Sequence, residues 1–241
     1  MAEQGAPEKR GRLSRPLVLG AAVALVDREG LSALTMRRLA TELGVESMAL
    51  YRYTPGKEAL IDGLVEAYFD EINARLRAGT RHDAPHEDDW RAELRRIAQA
   101  FAATAHAHPE ILPLVATRPL AVPVARRPAS VLELTEHILA VLGRAGFDDA
   151  GSLTVYRTFV AWNLGCMLVD KRQVVDNPSE PDPVLRLGLH RLPAADYPRL
   201  RALVPRFADF DDDAEMLAGL DSLLGGMPEP PLDGFYGGDA S

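Results

Sequence analysis

Residues 35–57, TMRRLATELGVESMALYRYTPGK, constrain the fold most. From Thr35, one face of a short helix collects Met36, Leu39, Ala40 and Leu43. Gly44 follows and supplies the left-handed turn that other residues resist. A second short helix, about 46–52, is pinned by Val45 and Leu50 and ends in Tyr51, Arg52 and Tyr53. Upstream, Val18, Ala21, Ala22, Leu25 and Val26 recur at helical spacing over 15–29, with Ser14 as cap and Gly30 as stop. Three short helices in this order form a helix-turn-helix head, the unit that lays its last helix in the DNA major groove.

Once apolar positions are given to the core, Arg37, Arg38, Ser47, Ala49, Tyr51, Arg52 and Tyr53 remain on outward faces. Aromatics beside arginine suit phosphate hydrogen bonds and base-edge contacts better than they suit a solvated surface. Lys57 opens the next helix after Thr54-Pro55-Gly56, read as a cap and restart. A cation in a first turn opposes the helix dipole unless an anion such as phosphate sits there.

The rest of the chain reads as more helix. A long one over 56–77 carries the stripe Leu60, Leu64, Tyr68 and Ile72, widened by Ile61, Val65 and Phe69. Helices at about 89–107, 110–116, 128–144 and 148–171 follow, then a polar break at 173–183 and helices at about 196–207 and 212–225. Neither strand alternation nor an internal repeat is present. The expected fold is all-α, with a disordered basic arm at 1–13 (Lys9, Arg10, Arg12), a helix-turn-helix domain at 14–57, a larger helical ligand-binding and dimerisation domain at 58–226, and a disordered tail at 227–241.

Charge divides along the same line. Residues 1–60 hold nine Lys/Arg against seven Asp/Glu, a net of +2, whereas residues 61–241 carry −10. The basic excess sits where phosphate contact needs it. The single Cys166 excludes an internal disulfide framework and reads as core. No leader and no uninterrupted apolar run of about 18 residues is seen, so a soluble cytoplasmic protein with no membrane partner is expected. Nothing calls for a cofactor, a bound metal or catalysis. Phosphate loop and nucleophile elbow are both missing, and His106 and His108, two apart on a helix, face opposite ways. His82, His86, Glu87, Asp88 and Asp89 read as a solvated acidic loop.

The head resembles the TetR family of bacterial one-component repressors. Thr35-Met36-Arg37-Arg38-Leu39-Ala40, Leu43-Gly44-Val45, Leu50-Tyr51-Arg52-Tyr53 and Lys57 carry the resemblance. It implies that Thr35, Arg37, Tyr51 and Lys57 bind phosphates or bases, and that Ser47, Met48, Ala49, Arg52 and Tyr53 lie at the groove. Glu46 departs from the small cap residue often found there. The body resembles the tetracycline-repressor branch through Trp90 with Phe101, Thr117-Arg118-Pro119 and Leu164-Gly165-Cys166. That resemblance implies a homodimer with a ligand cavity in each subunit. The residues agree independently. Leu153, Val155, Tyr156, Phe159, Val160, Trp162, Leu164, Met167, Leu168 and Val169 surround their helix on nearly every side, so both faces need cover. Met216, Leu217, Leu220, Leu223 and Leu224 offer a second dimer stripe.

The same branch uses a histidine and a glutamate to hold a metal-chelated drug. Here Leu114 or Val115, and Val169, take their places, and Asn73 and Ile97 stand where polar drug contacts are expected. A mostly apolar or aromatic effector is expected instead. Its candidate contacts are Phe101, Leu114, Leu134, Ile138, Tyr156, Phe159 and Trp162, with Val131 nearby and His108, Thr117, His137 and Asn163 as polar orienters. The expected partners are a double-stranded DNA operator, a small-molecule effector and a second copy of the chain. The family mechanism implied is a ligand-driven change in the spacing of two recognition helices, which must sit about 34–36 Å apart to read a palindrome. Control by a protein partner, or action as an activator, stays open.

Overall fold

The computed structural model describes residues 13–79, 89–171, 180–186, 188–193, 195–203 and 212–227. Eleven α-helices run through them: α1 Arg15–Glu29, α2 Met36–Leu43, α3 Ser47–Leu50, α4 Lys57–Gly79, α5 Trp90–Ala107, α6 Leu112–Thr117, α7 Ala129–Arg144, α8 Asp149–Lys171, α9 Pro183–Arg186, α10 Pro198–Ala202 and α11 Asp212–Gly225. No strand occurs among the described residues, and the fold is all-α. None of the described helices is long and apolar enough to cross a membrane. Residues 1–12, His82, His86, Glu87, Asp88, 204–207 and the tail from 228 fall outside the described residues.

The chain divides into two compact units, Met1–Arg77 with Ala107–Thr135, and Ala78–His106 with Glu136–Ser241. In the first unit, α1 starts where Ser14 accepts a hydrogen bond from the Leu17 amide, and ends at Gly30, whose φ is +80°. Val18, Leu19, Ala22, Leu25 and Val26 form its buried face, each large side chain contributing about 2 kcal/mol. A 3-10 turn at Leu31–Ala33, unforeseen in the sequence, buries the following Leu34. Thr35 then caps α2 by accepting from the Arg38 amide at 3.1 Å. Only Leu39 and Ala40 of α2 are fully buried. Met36 and Leu43, expected in the core, are half-buried, because a helix of eight residues has room for little more than one inward turn.

The α3 helix is shorter than the expected 46–52. Glu46 makes no side-chain cap, and helical geometry ends at Leu50. Thr54 does not cap α4. It is buried, its amide and hydroxyl both donate to the Leu50 carbonyl, and it therefore closes the turn of Tyr51–Tyr53. On α4 the expected stripe Leu60, Leu64, Tyr68 and Ile72 is buried, as are Ile61, Val65 and Phe69. Gly63 lets α1 come close: a Cβ there would lie 2.3 Å from Leu19 Cδ2.

In the second unit the Trp90 ring meets Phe147 edge-on at 5.2 Å and carries the Arg91 guanidinium over its face at 4.3 Å. Arg91 also donates to the Leu224 carbonyl of α11, and Arg95 pairs with Asp221 of the same helix. Met216, Leu220 and Leu224 form the buried face of α11. Gly219 lets the Trp162 indole of α8 approach, since a Cβ there would sit 3.3 Å from the ring. The helix expected over 196–207 is described only as Pro198–Ala202, and α9 lies where the polar break was expected to end.

Candidate nucleic-acid interface

The head's cations divide by what surrounds them. Arg38 donates to Glu29 at 2.5 and 3.2 Å and to Glu42 at 2.9 Å, and Arg28 joins both carboxylates at 3.3 and 3.1 Å. The bond to Arg38 holds the Glu29 carboxyl below the usual range, against the upward push of desolvation. Arg15 forks onto Glu66 of α4 at 2.6 and 2.7 Å. Arg37, Arg52 and Lys57 are exposed and have no ion-pair partner among the described residues. A folded protein with seven carboxylates in its first 60 residues could have neutralised them. Among the described residues of this segment it has instead neutralised only Arg15, Arg28 and Arg38.

These unpaired cations accompany exposed side chains able to contact bases. Met48 is 75% and Tyr51 46% exposed. Ala49 is exposed, and Ser47 and Tyr53 are half-buried. Thr35 is exposed at the start of α2, Ser47 opens α3 and Lys57 opens α4, so three helix N-termini carry candidate contacts. Backbone N–H groups at such termini favour phosphate. The buried Leu39, Leu50 and Leu60 anchor the three helices that present them.

The residues expected to meet an effector divide between the units. Phe101, Ile138, Phe159 and Asn163 of the second unit are buried, while His137, Tyr156 and Trp162 are half-buried. The Asn163 Oδ1 atom is buried with no hydrogen-bond donor among the described residues. An acceptor so placed costs about 1–3 kcal/mol. His137 Nε2 lies 2.6 Å from Glu93, which also takes two bonds from Arg96. Burial would raise the Glu93 carboxyl, but His137 and Arg96 hold it down at about 2. In the first unit, Leu134 is buried, Leu114 half-buried and Thr117 exposed, its hydroxyl donating to the Pro113 carbonyl. His108 has both ring nitrogens on carboxylates, and it follows α5 rather than lying on it. No group of three or more His, Cys, Asp or Glu among the described residues is placed to hold a metal ion.

Sequence reading missed the work of Arg118. Its guanidinium binds Glu58 at 2.9 Å and Asp62 at 2.8 Å, tying the end of α6 to the first turns of α4, next to Lys57. The available signal was the pair Glu58 and Asp62, two like charges four apart on one helix face, which repel unless a cation sits between them.

Residues 18–64 match the family described as bacterial regulatory proteins, tetR family, and residues 83–230 match the tetracyclin repressor-like C-terminal domain. An HTH-type transcriptional regulator of Saccharopolyspora erythraea is 31% identical over 230 residues, covering 92% of this chain and 89% of its own. The class C tetracycline repressor protein of Escherichia coli is 28% identical over 223 residues, 92% and 93% of the two chains. Among solved structures, a possible TetR family transcriptional regulator from Streptomyces coelicolor superposes with a TM-score of 0.70 at 27% identity, over 88% of this chain and 98% of that one. The head with its free cations and the helical body behind it in sequence thus belong to one known kind of molecule: the chain is a member of the TetR family of DNA-binding transcription regulators.

Proposed function

We propose that this chain is a ligand-responsive repressor that binds a palindromic operator as a homodimer and leaves it when a mostly apolar or aromatic small molecule binds its C-terminal domain. In this reading residues 14–57 read DNA, and residues 58–226 bind the effector and dimerise. The observation that carries the reading is the set of exposed cations Arg37, Arg52 and Lys57, left without counter-charges among the described residues on a head that also exposes Tyr51 and Met48. Phosphates would supply those counter-charges. Thr35, Arg37, Tyr51 and Lys57 serve as phosphate and base contacts, while Ser47, Met48, Ala49, Arg52 and Tyr53 face the groove. Arg38, a further candidate contact in the sequence, is instead engaged by Glu29 and Glu42.

The effector reading is supported by the apolar side chains Phe101, Ile138, Tyr156, Phe159 and Trp162, with Asn163 Oδ1 as an acceptor awaiting a donor. A ligand carrying one hydroxyl or N–H on an aromatic frame would satisfy it. Relatives named tetracycline repressors do not carry their metal-chelated drug over to this chain, because Val169 and Leu114 or Val115 stand where the metal-binding pair is expected and none can ligate a metal. Dimerisation is supported by Leu153, Tyr156, Val160 and Leu164, which line one side of α8 and are exposed or half-buried.

Fluorescence anisotropy on DNA upstream of the chain's own gene tests the reading, at two salt concentrations with scrambled competitor. The expected result is binding that survives competitor, places two subunits on each palindrome and disappears in Tyr51→Ala. Equal loss to any competitor DNA would mean the head reads phosphate without reading sequence, and would overturn it.

A further inference from the structure

His108 lies between two carboxylates on two different helices. Its Nδ1 is 2.8 Å from Asp27 Oδ2 of α1, and its Nε2 is 2.8 Å from Glu71 Oε2 of α4. A neutral imidazole can donate from only one nitrogen, and the lone pair of the other would face a carboxylate oxygen. Both contacts are attractive only when the ring is an imidazolium. The groups facing the ring are Asp27 from α1, and Tyr68 and Glu71 from α4. Tyr68 meets the ring edge-on at 6.4 Å, and Arg75 binds the other side of Glu71 at 2.6 Å. On the ring's own segment, Glu110 is exposed. Burial by itself would push the ring's pKa down. The bonds to Glu71 and Asp27 outweigh burial and hold it above the ordinary 6.5.

The position of Asp27 gives this contact its reach. It sits in the last turn of α1, three residues before Gly30 and shortly before the Thr35 cap of α2. At its other end α1 is held to α4 by Arg15 and Glu66. Of the two ties, the one at the C-terminal end of α1 is made by an imidazole, the side chain suited to a switch near neutral pH. A cavity of about 200 Å³ walled by Gly20, Val23, Ala67, Tyr68 and Ile111 adjoins the ring and Glu71.

We propose that His108 is a positioning residue for DNA binding: as an imidazolium it staples the C-terminal end of α1 to α4, and its deprotonation frees that end, with the helix-turn-helix that follows, so that operator affinity falls as pH rises. This rests on the reading of the head as an operator binder. The sign follows from linkage. A base whose pKa is raised by folding contributes fully below its unfolded value of 6.5, and the contribution is lost as pH rises through the higher folded value.

The test uses the full-length chain. Ring ¹⁵N–¹H NMR, with the His108 signal assigned by its loss in His108→Gln, should find a titration midpoint above 6.5 that Asp27→Asn lowers. Operator binding by the wild type should weaken about tenfold from pH 6 to pH 9, the size expected for one charge-assisted hydrogen bond. His108→Arg keeps a permanent charge and should bind with little pH dependence, while His108→Gln should bind weakly throughout. A midpoint at or below 6.5, or the same pH slope in wild type and His108→Arg, would overturn the proposal. No operator binding by the wild type at any pH, with a doubly protonated ring, would overturn the DNA reading and the positioning role with it. The ring titration is read without DNA, so the two failures are distinguishable.

Discussion

Arg37 and Arg38 are neighbours in sequence with opposite electrostatic surroundings. Arg38 is held by Glu29 and Glu42, while Arg37 is exposed and has no anion within reach among the described residues. Their substitutions should separate accordingly. Arg37→Ala should leave the melting temperature unchanged, weaken operator binding and reduce the slope of log affinity against log salt by about 1, the loss of one phosphate contact. Arg38→Ala should lower the melting temperature and, measured where both proteins are folded, leave the salt slope nearly unchanged. Anisotropy titrations at three salt concentrations and thermal melts check both; equal salt slopes for the two variants would erase the distinction. Sequence pattern places both arginines on α2 but could not tell them apart. What separates them is Glu29, nine residues from Arg38 across the turn that ends α1, and pairings of that kind leave no periodic trace. His108 repeats the lesson over greater separations, since its partners stand 81 and 37 residues away.

At the scale of helices, apolar periodicity was a reliable guide wherever an element was long enough to carry it. The expected limits of α1 and α11 agree with the observed Arg15–Glu29 and Asp212–Gly225, and α8 differs by one residue at its start. Short elements were harder. The end of α3 depends on the Thr54 hydroxyl folding back onto Leu50, a local side-chain bond competing with helix continuation. Packing between helices was not legible, as two glycines illustrate. Gly63 in α4 and Gly20 in α1 look alike in sequence. A Cβ on Gly63 would lie 2.3 Å from buried Leu19, whereas nothing stands within 4 Å of one on Gly20. Alanine in a helix interior gains about 1 kcal/mol over glycine, and overpacking costs about 1–3 kcal/mol. Gly20→Ala should therefore stabilise by about 1 kcal/mol. Gly63→Ala should destabilise by about 1 kcal/mol, lowering the melting temperature by about 3 °C. Denaturant melts of the two variants check the opposite signs, and stabilisation by Gly63→Ala would mean that Leu19 can move aside.

For the whole molecule, the charge pattern sets how the chain can meet DNA. A net of +2 over residues 1–60 against −10 over the remainder puts a basic excess on the proposed DNA-reading segment and an acidic excess on the rest of the chain taken as a whole. One such head, with three unpaired cations among its described residues, offers few phosphate contacts, and in the proposed homodimer specific affinity depends on a second head bound to the same operator. The second binding event would then be intramolecular, which raises overall affinity by about 10²–10⁴-fold with no new contact in the head. The proposed tether is the side of α8 that carries Leu153, Tyr156, Val160 and Leu164. Leu153 is 40% exposed there, and the other three are half-buried. Leu164→Glu places a carboxylate in that stripe. Because Leu164 is outside the fully buried core, the separate chain can solvate the new charge and should keep its helix content. A dimer interface would have to bury it without a partner, which strongly disfavours association. The expected outcome is a monomer by sedimentation, an unchanged far-UV spectrum and operator affinity reduced at least 100-fold. A Leu164→Glu protein that still sedimented as a dimer would move the interface off this side of α8, while a monomer with wild-type operator affinity would leave α8 as the tether and remove the need for two heads.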